Sequence, residues 1–216
     1  MPLLTLLALI LSISPTSARD WQQQAESRLR FQGSQQGETF DGRFQRFESR
    51  ISFDPDNLAQ AGFDVRIDLA SVDSENSERD QAVRGSDWFD VGRFPQAHFR
   101  TLAFRALGEG RFEADAELSL RGHTQALVFP FSWREDAAGG HLRASMVLNR
   151  LNFGLGSGEW ADDELIGTQV TVTVDLLLRE SGVGSREAGS GQRAAGNRTL
   201  KTENRKPKTE NLKPKT

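Results

Sequence analysis

The stretch GRFEADAELSL at residues 110–120 alternates between apolar and polar side chains. From Phe112 to Leu120 every second side chain is apolar, and acidic residues or serine stand between them. Successive side chains of a strand point to opposite faces, so this stretch predicts a β-strand with one buried and one solvated face.

The same two-residue period recurs between Asp20 and Glu180. The clearest further examples are GFDVRIDLA at 62–70 and QVTVTVDLLL at 169–178. Shorter runs repeat it in AESRLRF, RISF, AHFRTLAF, ALVFPFSW and HLRASMVL. About eight strands joined by short polar turns predict an all-β domain. Strands with one apolar face can form either a two-sheet sandwich or a closed barrel, and alternation does not distinguish these.

One segment interrupts the period. The sequence SENSERDQAVRGSDWFD at 74–90 is polar and lacks β-branched alternation. Ser77, followed three residues later by Asp80, is typical of a helix start. The segment predicts one or two helical turns near residues 78–84, crossing from one strand to the next.

The two ends of the chain differ from this central part. The first 18 residues contain a short apolar run followed by small residues that suit a cleavage site. They predict a signal peptide cleaved before Arg19. Residues 19–180 are acidic and contain no lysine, which disfavours nucleic-acid binding. Residues 181–216 repeat KTENRKP as KTENLKP and predict a disordered basic tail. A cationic tether to anionic lipid is the alternative for this tail.

Groups that could catalyse a reaction are scattered. The chain has no cysteine, so it has no thiolate nucleophile, thiolate metal ligand or disulfide. Its histidines, His98, His123 and His141, lack metal-ligand spacing. The strand registers turn His98 and His141 toward solvent. The acidic pair Asp162-Asp163 predicts a turn and lacks the pattern of an EF-hand loop. The sequence therefore predicts neither an enzyme nor a metal site.

Five sequence blocks, taken together and in order, are more specific than any one of them. They are Ser27, Phe31 and FDGRF at 40–44; Asp68, Ala70, Ser71 and Asp73; ERDQAVRGSDWFDVGRFPQAHF at 78–99; ELSLRGHTQAL at 117–127; and NRLNFGLGSGEWADDELIGTQVTVTVDL at 149–176. In this order they resemble the YceI family of polyisoprenoid-binding proteins over essentially all of residues 20–180. Two positions depart from the family pattern: GSQQGE at 33–38 replaces a Lys-His pair, and His123 replaces a common valine.

The resemblance implies an elongated eight-stranded antiparallel barrel, similar to a lipocalin, that encloses a long-chain lipid. Aromatic side chains suit such a lining because they cover much area with few rotatable bonds. The expected ligand-binding residues are Phe40, Phe44, Phe53, Phe99, Phe131, Trp133 and Phe153, with Trp88 and Phe89 as a lid. The alternative for each residue is that an inward ring fills the core.

The resemblance further implies a periplasmic protein that sequesters or carries a long-chain isoprenoid or similar lipid. Two alternatives stay open: a quinone-handling accessory of cytochrome b561-type membrane electron transfer, and an envelope-stress protein or structural module without a fixed ligand. No cofactor is expected beyond a bound lipid, isoprenoid or isoprenoid quinone. Transient contact with the membrane or with a cytochrome b561-like protein, and a homodimer, are left open as partners.

Overall fold

The computed structural model describes residues 18–182. The predicted signal peptide and basic tail lie outside these residues, save for Ala18, Ser181 and Gly182. The strands are β1 Asp20–Gln23, β2 Arg28–Gln35, β3 Glu38–Phe44, β4 Phe47–Ser52, β5 Gly62–Asp68, β6 Val72–Asp73, β7 Gln96–Gly108, β8 Arg111–Leu120, β9 His123–Asp136, β10 Gly139–Asn149 and β11 Gln169–Glu180. One α-helix, α1, spans Ser77–Arg84, and 3-10 turns occupy Leu58–Gln60, Leu69–Ser71, Arg150–Phe153 and Gly158–Trp160.

The strands close into one antiparallel barrel. The ring runs β1-β4-β5-β7-β8-β9-β10-β11, and β11 pairs back onto β1. β11 also pairs with β2 through Val174 and Leu29, while Leu178 of the same strand pairs with Gln23 of β1. β1 and β2 are therefore two parts of one interrupted strand, and β3 and β4 are related in the same way. The predicted eight-stranded antiparallel barrel is confirmed, and each predicted alternating run lies in a different strand of it.

Helix α1 confirms the predicted crossover but begins differently. Its N-cap is Asn76, whose side-chain oxygen accepts a hydrogen bond from the Arg79 N–H at 3.0 Å. Ser77, the cap expected from the sequence, is instead the first helical residue. Asn76 has the extended backbone that a cap requires, and asparagine is as good a cap as serine. No helix in residues 18–182 is long and apolar enough to cross a membrane.

Aromatic side chains fill one end of the barrel. Phe53 is fully buried, and its ring centre lies 4.9–5.9 Å from five other aromatic rings. These rings belong to Phe63, Phe104, Phe112, Phe131 and Trp133. Trp21 adds an edge-on contact to Trp133 at 4.9 Å, and its indole N–H donates to the Phe53 carbonyl. We call this cluster of seven side chains the aromatic plug: Trp21, Phe53, Phe63, Phe104, Phe112, Phe131 and Trp133. Edge-to-face and offset arrangements are the ones that aromatic pairs prefer.

A hydrogen-bonded turn carries the chain from β5 into the crossover. The Asp68 carboxylate accepts from the Ala70 N–H at 2.9 Å, and the Ser71 hydroxyl donates to the Asp68 carbonyl at 2.6 Å. The Asp73 carboxylate accepts from Gln45 Nε2 at 2.9 Å and from Arg43 Nη2 at 2.7 Å. The Asp-x-Ala-Ser-x-Asp block noted in the sequence is therefore the joint between the barrel wall and α1.

The hydrogen bonds of Asp73 make the free energy of unfolding depend on pH in the acidic range. Hydrogen bonds from Gln45, from the Glu75 N–H and from Arg43 lower the pKa of the Asp73 carboxyl. A carboxyl whose pKa is lower in the folded than in the unfolded state stabilises the fold. This stabilisation is fully present above the unfolded-state pKa of about 3.9, and it is lost as the pH falls through the folded-state pKa. In urea denaturation, Asp73→Asn is expected to flatten the loss of unfolding free energy below about pH 4. Gln45→Ala should flatten it partly, and unchanged slopes in both variants would contradict the assignment.

Candidate functional site

The barrel end opposite the aromatic plug encloses a cavity of about 470 Å³. Its floor is formed by Ile51, Leu142 and Leu176 together with Phe63 of the aromatic plug. Inward side chains of the strands form its walls, among them Phe31, Phe44, Val65, Phe99, Phe129, Met146 and Val172. This volume lies within the range of roughly 300–1,000 Å³ found for small-molecule sites.

The side of the cavity away from the plug is covered by the crossover and by one long loop. We call this covered side the mouth. The crossover contributes Val83, Trp88 and Phe89. The loop between β10 and β11 contributes Phe153, Leu155, Trp160 and Ile166. Trp160 is 41% exposed although it lines the cavity, so it lies at the boundary between the interior and solvent.

Polar lining groups are confined to the mouth, and half of them have side-chain hydrogen bonds within the protein. The Asp80 carboxylate accepts from both the N–H and the hydroxyl of Ser74, at 2.9 and 2.7 Å. The remaining polar residues are Ser34, Gln35, Asn76, Glu78, Arg79 and Arg150. An apolar interior with polar groups at one end suits a long apolar molecule that has one polar end.

Two glycines let aromatic rings lie flat against the backbone of β2 and β3. A Cβ on Gly42 would lie 2.2 Å from the Phe31 ring, and one on Gly33 would lie 2.8 Å from the Phe40 ring. Only glycine leaves room for these rings, since a side chain at either position would have to displace one of them. The FDGRF block at 40–44 therefore shapes the cavity wall.

Arg150 organises the loop that covers the mouth. It is 3% exposed, and its guanidinium donates to five backbone carbonyls at 2.5–3.1 Å. The acceptors are Leu155, Gly156, Trp160, Ile166 and Gly167. These five bonds use all five N–H donors of an arginine. Burial lowers the pKa of Arg150, but a guanidinium stays charged at any ordinary pH.

Arg121 ties the covering loop to the crossover. Its guanidinium donates to the carbonyls of Gly154 and Ser86, the latter at 2.6 Å. The Gly156 N–H donates to the Asp87 carbonyl at 2.8 Å, so the two covering segments are also joined directly. Arg121 has φ 49°, in the left-handed region, and lies in the tight turn between β8 and β9. The Arg-Gly turn of the fourth sequence block therefore closes the barrel end.

The structure divides the nine predicted ligand-binding residues into two groups. Six of them line the cavity: Phe40, Phe44, Trp88, Phe89, Phe99 and Phe153. The other three, Phe53, Phe131 and Trp133, lie in the aromatic plug and outside the cavity lining. For these three the alternative reading, inward rings that fill the core, describes their position.

Several cavity residues were not among the ligand-binding residues predicted from the sequence. The two-residue period places Phe31, Met146 and Val172 on inner faces, so their position could have been found. The positions of Arg79 and Arg150 could not be found in this way, because one sequence does not show which arginines face the interior and which face solvent.

The histidines stand apart from this cavity. His98 Nε2 lies 2.8 Å from the Asp64 carboxylate, and His141 Nε2 lies 2.5 Å from the Asp175 carboxylate. Both pairs join neighbouring strands on the outer face of the barrel. Within residues 18–182 no group of three or more His, Asp or Glu side chains is placed to hold a metal ion.

Comparison with known proteins agrees with this architecture. Residues 21–178 match the YceI-like domain. A UPF0312 protein of Vibrio cholerae is 31% identical over 133 residues, covering 57% of this chain and 70% of the relative. One of Vibrio parahaemolyticus is 29% identical over 151 residues, covering 65% and 80%.

Two solved structures share the fold. BcnA of Burkholderia cenocepacia superposes with a TM-score of 0.68 at 27% identity, covering 70% of this chain and 96% of BcnA. A polyisoprenoid binding domain from Saccharophagus degradans gives 0.62 at 18% identity, covering 76% and 99%. At that lower identity the likeness shows the fold alone. From the match to residues 21–178, the chain belongs to the YceI-like domain family.

Proposed function

We propose that this YceI-like barrel binds one long-chain isoprenoid or similar lipid in its cavity and carries it through the periplasm. The observation that supports this most is the apolar cavity of about 470 Å³, which has its polar groups at the mouth only. The polyisoprenoid binding of the Saccharophagus neighbour, which shares the fold, points to the same class of ligand. The apolar run before Arg19 supports export.

The energetics favour a carrier for such a ligand. Moving one CH₂ group from water into an apolar interior gains about 0.8 kcal/mol, so one isoprene unit gains about 3 kcal/mol or more. An isoprenoid therefore has a negligible free concentration in water. A dry cavity and a mouth that opens are sufficient to hold it, and no reacting group is required.

Geranylgeraniol, an uncharged prenyl alcohol, is expected to bind saturably with one molecule per chain. Trp88 and Trp160 line the cavity, so binding should change the intrinsic tryptophan fluorescence. Titration gives the affinity, and native mass spectrometry gives the stoichiometry. Protein purified from its own cell envelope should also release a long-chain lipid on extraction, and the extract would show whether that lipid is a quinone. The proposal fails if no prenyl alcohol binds and no lipid is released.

A further inference from the structure

Arg79 is a cation at the mouth that has no polar partner among the described residues. It lines the cavity, and its guanidinium carbon lies 4.0 Å from the centre of the Phe40 ring. Its Nε is buried and has no hydrogen-bond acceptor within residues 18–182. No described carboxylate lies within ion-pair distance of it. A buried donor without an acceptor is costly, so such a group in a binding cavity indicates a missing partner.

The charged groups nearest to Arg79 in the lining and on α1 are either hydrogen-bonded or exposed to solvent, which sets Arg79 apart. Arg150, the other arginine of the cavity lining, has five carbonyl acceptors. Arg84, in the last turn of the same helix, donates to the carbonyls of Ala70 and Val72. The Asp80 carboxylate accepts two bonds from Ser74, and Glu78 is exposed to solvent.

We propose that Arg79 binds an anionic head group of the ligand whose apolar chain fills the cavity. The inference rests on the proposed function, since it assigns one end of the same ligand. A guanidinium presents a planar fork that matches the oxygens of a phosphate or a carboxylate. Its contact with Phe40 holds that fork beside the apolar wall. The ligand class is therefore a long-chain amphiphile with a phosphate or carboxylate head.

The test compares charged and uncharged ligands in the full-length chain. The ligands are geranylgeraniol, geranylgeranyl monophosphate and palmitate, and the variants are Arg79→Gln and Arg79→Lys. We expect the wild type to bind the monophosphate about tenfold more tightly than the alcohol, since hydrogen bonds to charged groups are the strong ones. Arg79→Gln should weaken monophosphate binding about tenfold and change alcohol binding less than about twofold. Arg79→Lys, which keeps the charge but loses the fork, should fall between them.

Arg93 supplies the matched control. It lies in the same crossover, and its guanidinium also faces a phenyl ring, that of Phe94 at 5.2 Å, but it does not line the cavity. Arg93→Gln should bind all three ligands like the wild type. A drop for palmitate as well as the monophosphate would show recognition of either anion, and a drop for one alone would identify the head group.

Three results would overturn the assignment. The first is equal losses for the alcohol and both anions in Arg79→Gln, which would mean that Arg79 acts only as part of the wall. The second is unchanged anion binding in that variant, and the third is an equal loss in Arg93→Gln. In these three cases alcohol binding by the wild type leaves the carrier function standing. If the wild type binds none of the ligands, the carrier function fails and the head-group assignment fails with it.

Discussion

Replacing Arg150 by methionine is expected to lower the free energy of unfolding by about 3 kcal/mol. Methionine fills much of the same volume but leaves five backbone carbonyls without their donor. Each buried carbonyl that finds no water carries a desolvation penalty of about 1–3 kcal/mol. The expected loss is below their sum because the loop between β10 and β11 can move and hydrate some of them. Urea denaturation measures the change.

Two further variants separate the hydrogen bonds of Arg150 from its charge. Arg150→Lys keeps the charge but has only three donors, so its stability should lie between those of wild type and methionine. Arg143 lies on the outer face of β10 and pairs with Asp175, so Arg143→Met should cost less than about 1 kcal/mol. If Arg150→Met were no worse than Arg143→Met, the carbonyl cluster would not hold the loop.

Replacing Val172 by tryptophan is expected to lower the affinity for geranylgeraniol at least about tenfold while the barrel stays folded. Val172 lies on the inner face of β11 and lines the cavity. A larger side chain there occupies space that the ligand needs. It extends into the cavity and not into the packed side chains of the aromatic plug. The strain that follows from overfilling a dense core should therefore be small.

Thr173 is the matched control for the filled cavity. It is the next residue of β11, and its side chain points to the exposed outer face. Thr173→Trp adds the same indole outside the barrel and should leave binding unchanged. The two variants are compared by fluorescence titration and by urea denaturation. Retained affinity in a folded Val172→Trp would mean that the ligand binds elsewhere, and the carrier proposal in its present form would be wrong.

The sequence predicts the barrel well because its signal is local. Alternation in GRFEADAELSL shows which side chains face inward, and Phe112, Ala114, Ala116 and Leu118 are all buried. The crossover was also predictable, since a polar segment without a two-residue period cannot form a half-buried strand. The helix cap was missed by one residue because Asn76 and Ser77 both suit that position.

The division of the interior into a plug and a cavity could not be predicted in the same way. Phe99 and Phe131 both occupy inner positions on their strands, yet one lines the cavity and the other fills the plug. Which of these occurs depends on the summed volumes of side chains from all eight strands at one depth. Single-strand alternation carries no information on that sum. The same holds for Arg150, whose five acceptors become neighbours only when the loop folds over it.

The aromatic plug leaves the barrel cavity with access from one end only among the described residues. Within residues 18–182 packed rings, among them Trp21, Phe53 and Trp133, occupy this end, so a lipid bound as proposed would enter and leave through the mouth. If a lipid enters tail first, its head group stays at the mouth for as long as it is bound. Under the carrier proposal, a recipient would contact that head group before the tail leaves the cavity. Transfer would then require the mouth to face the recipient, so the orientation of the barrel would control delivery.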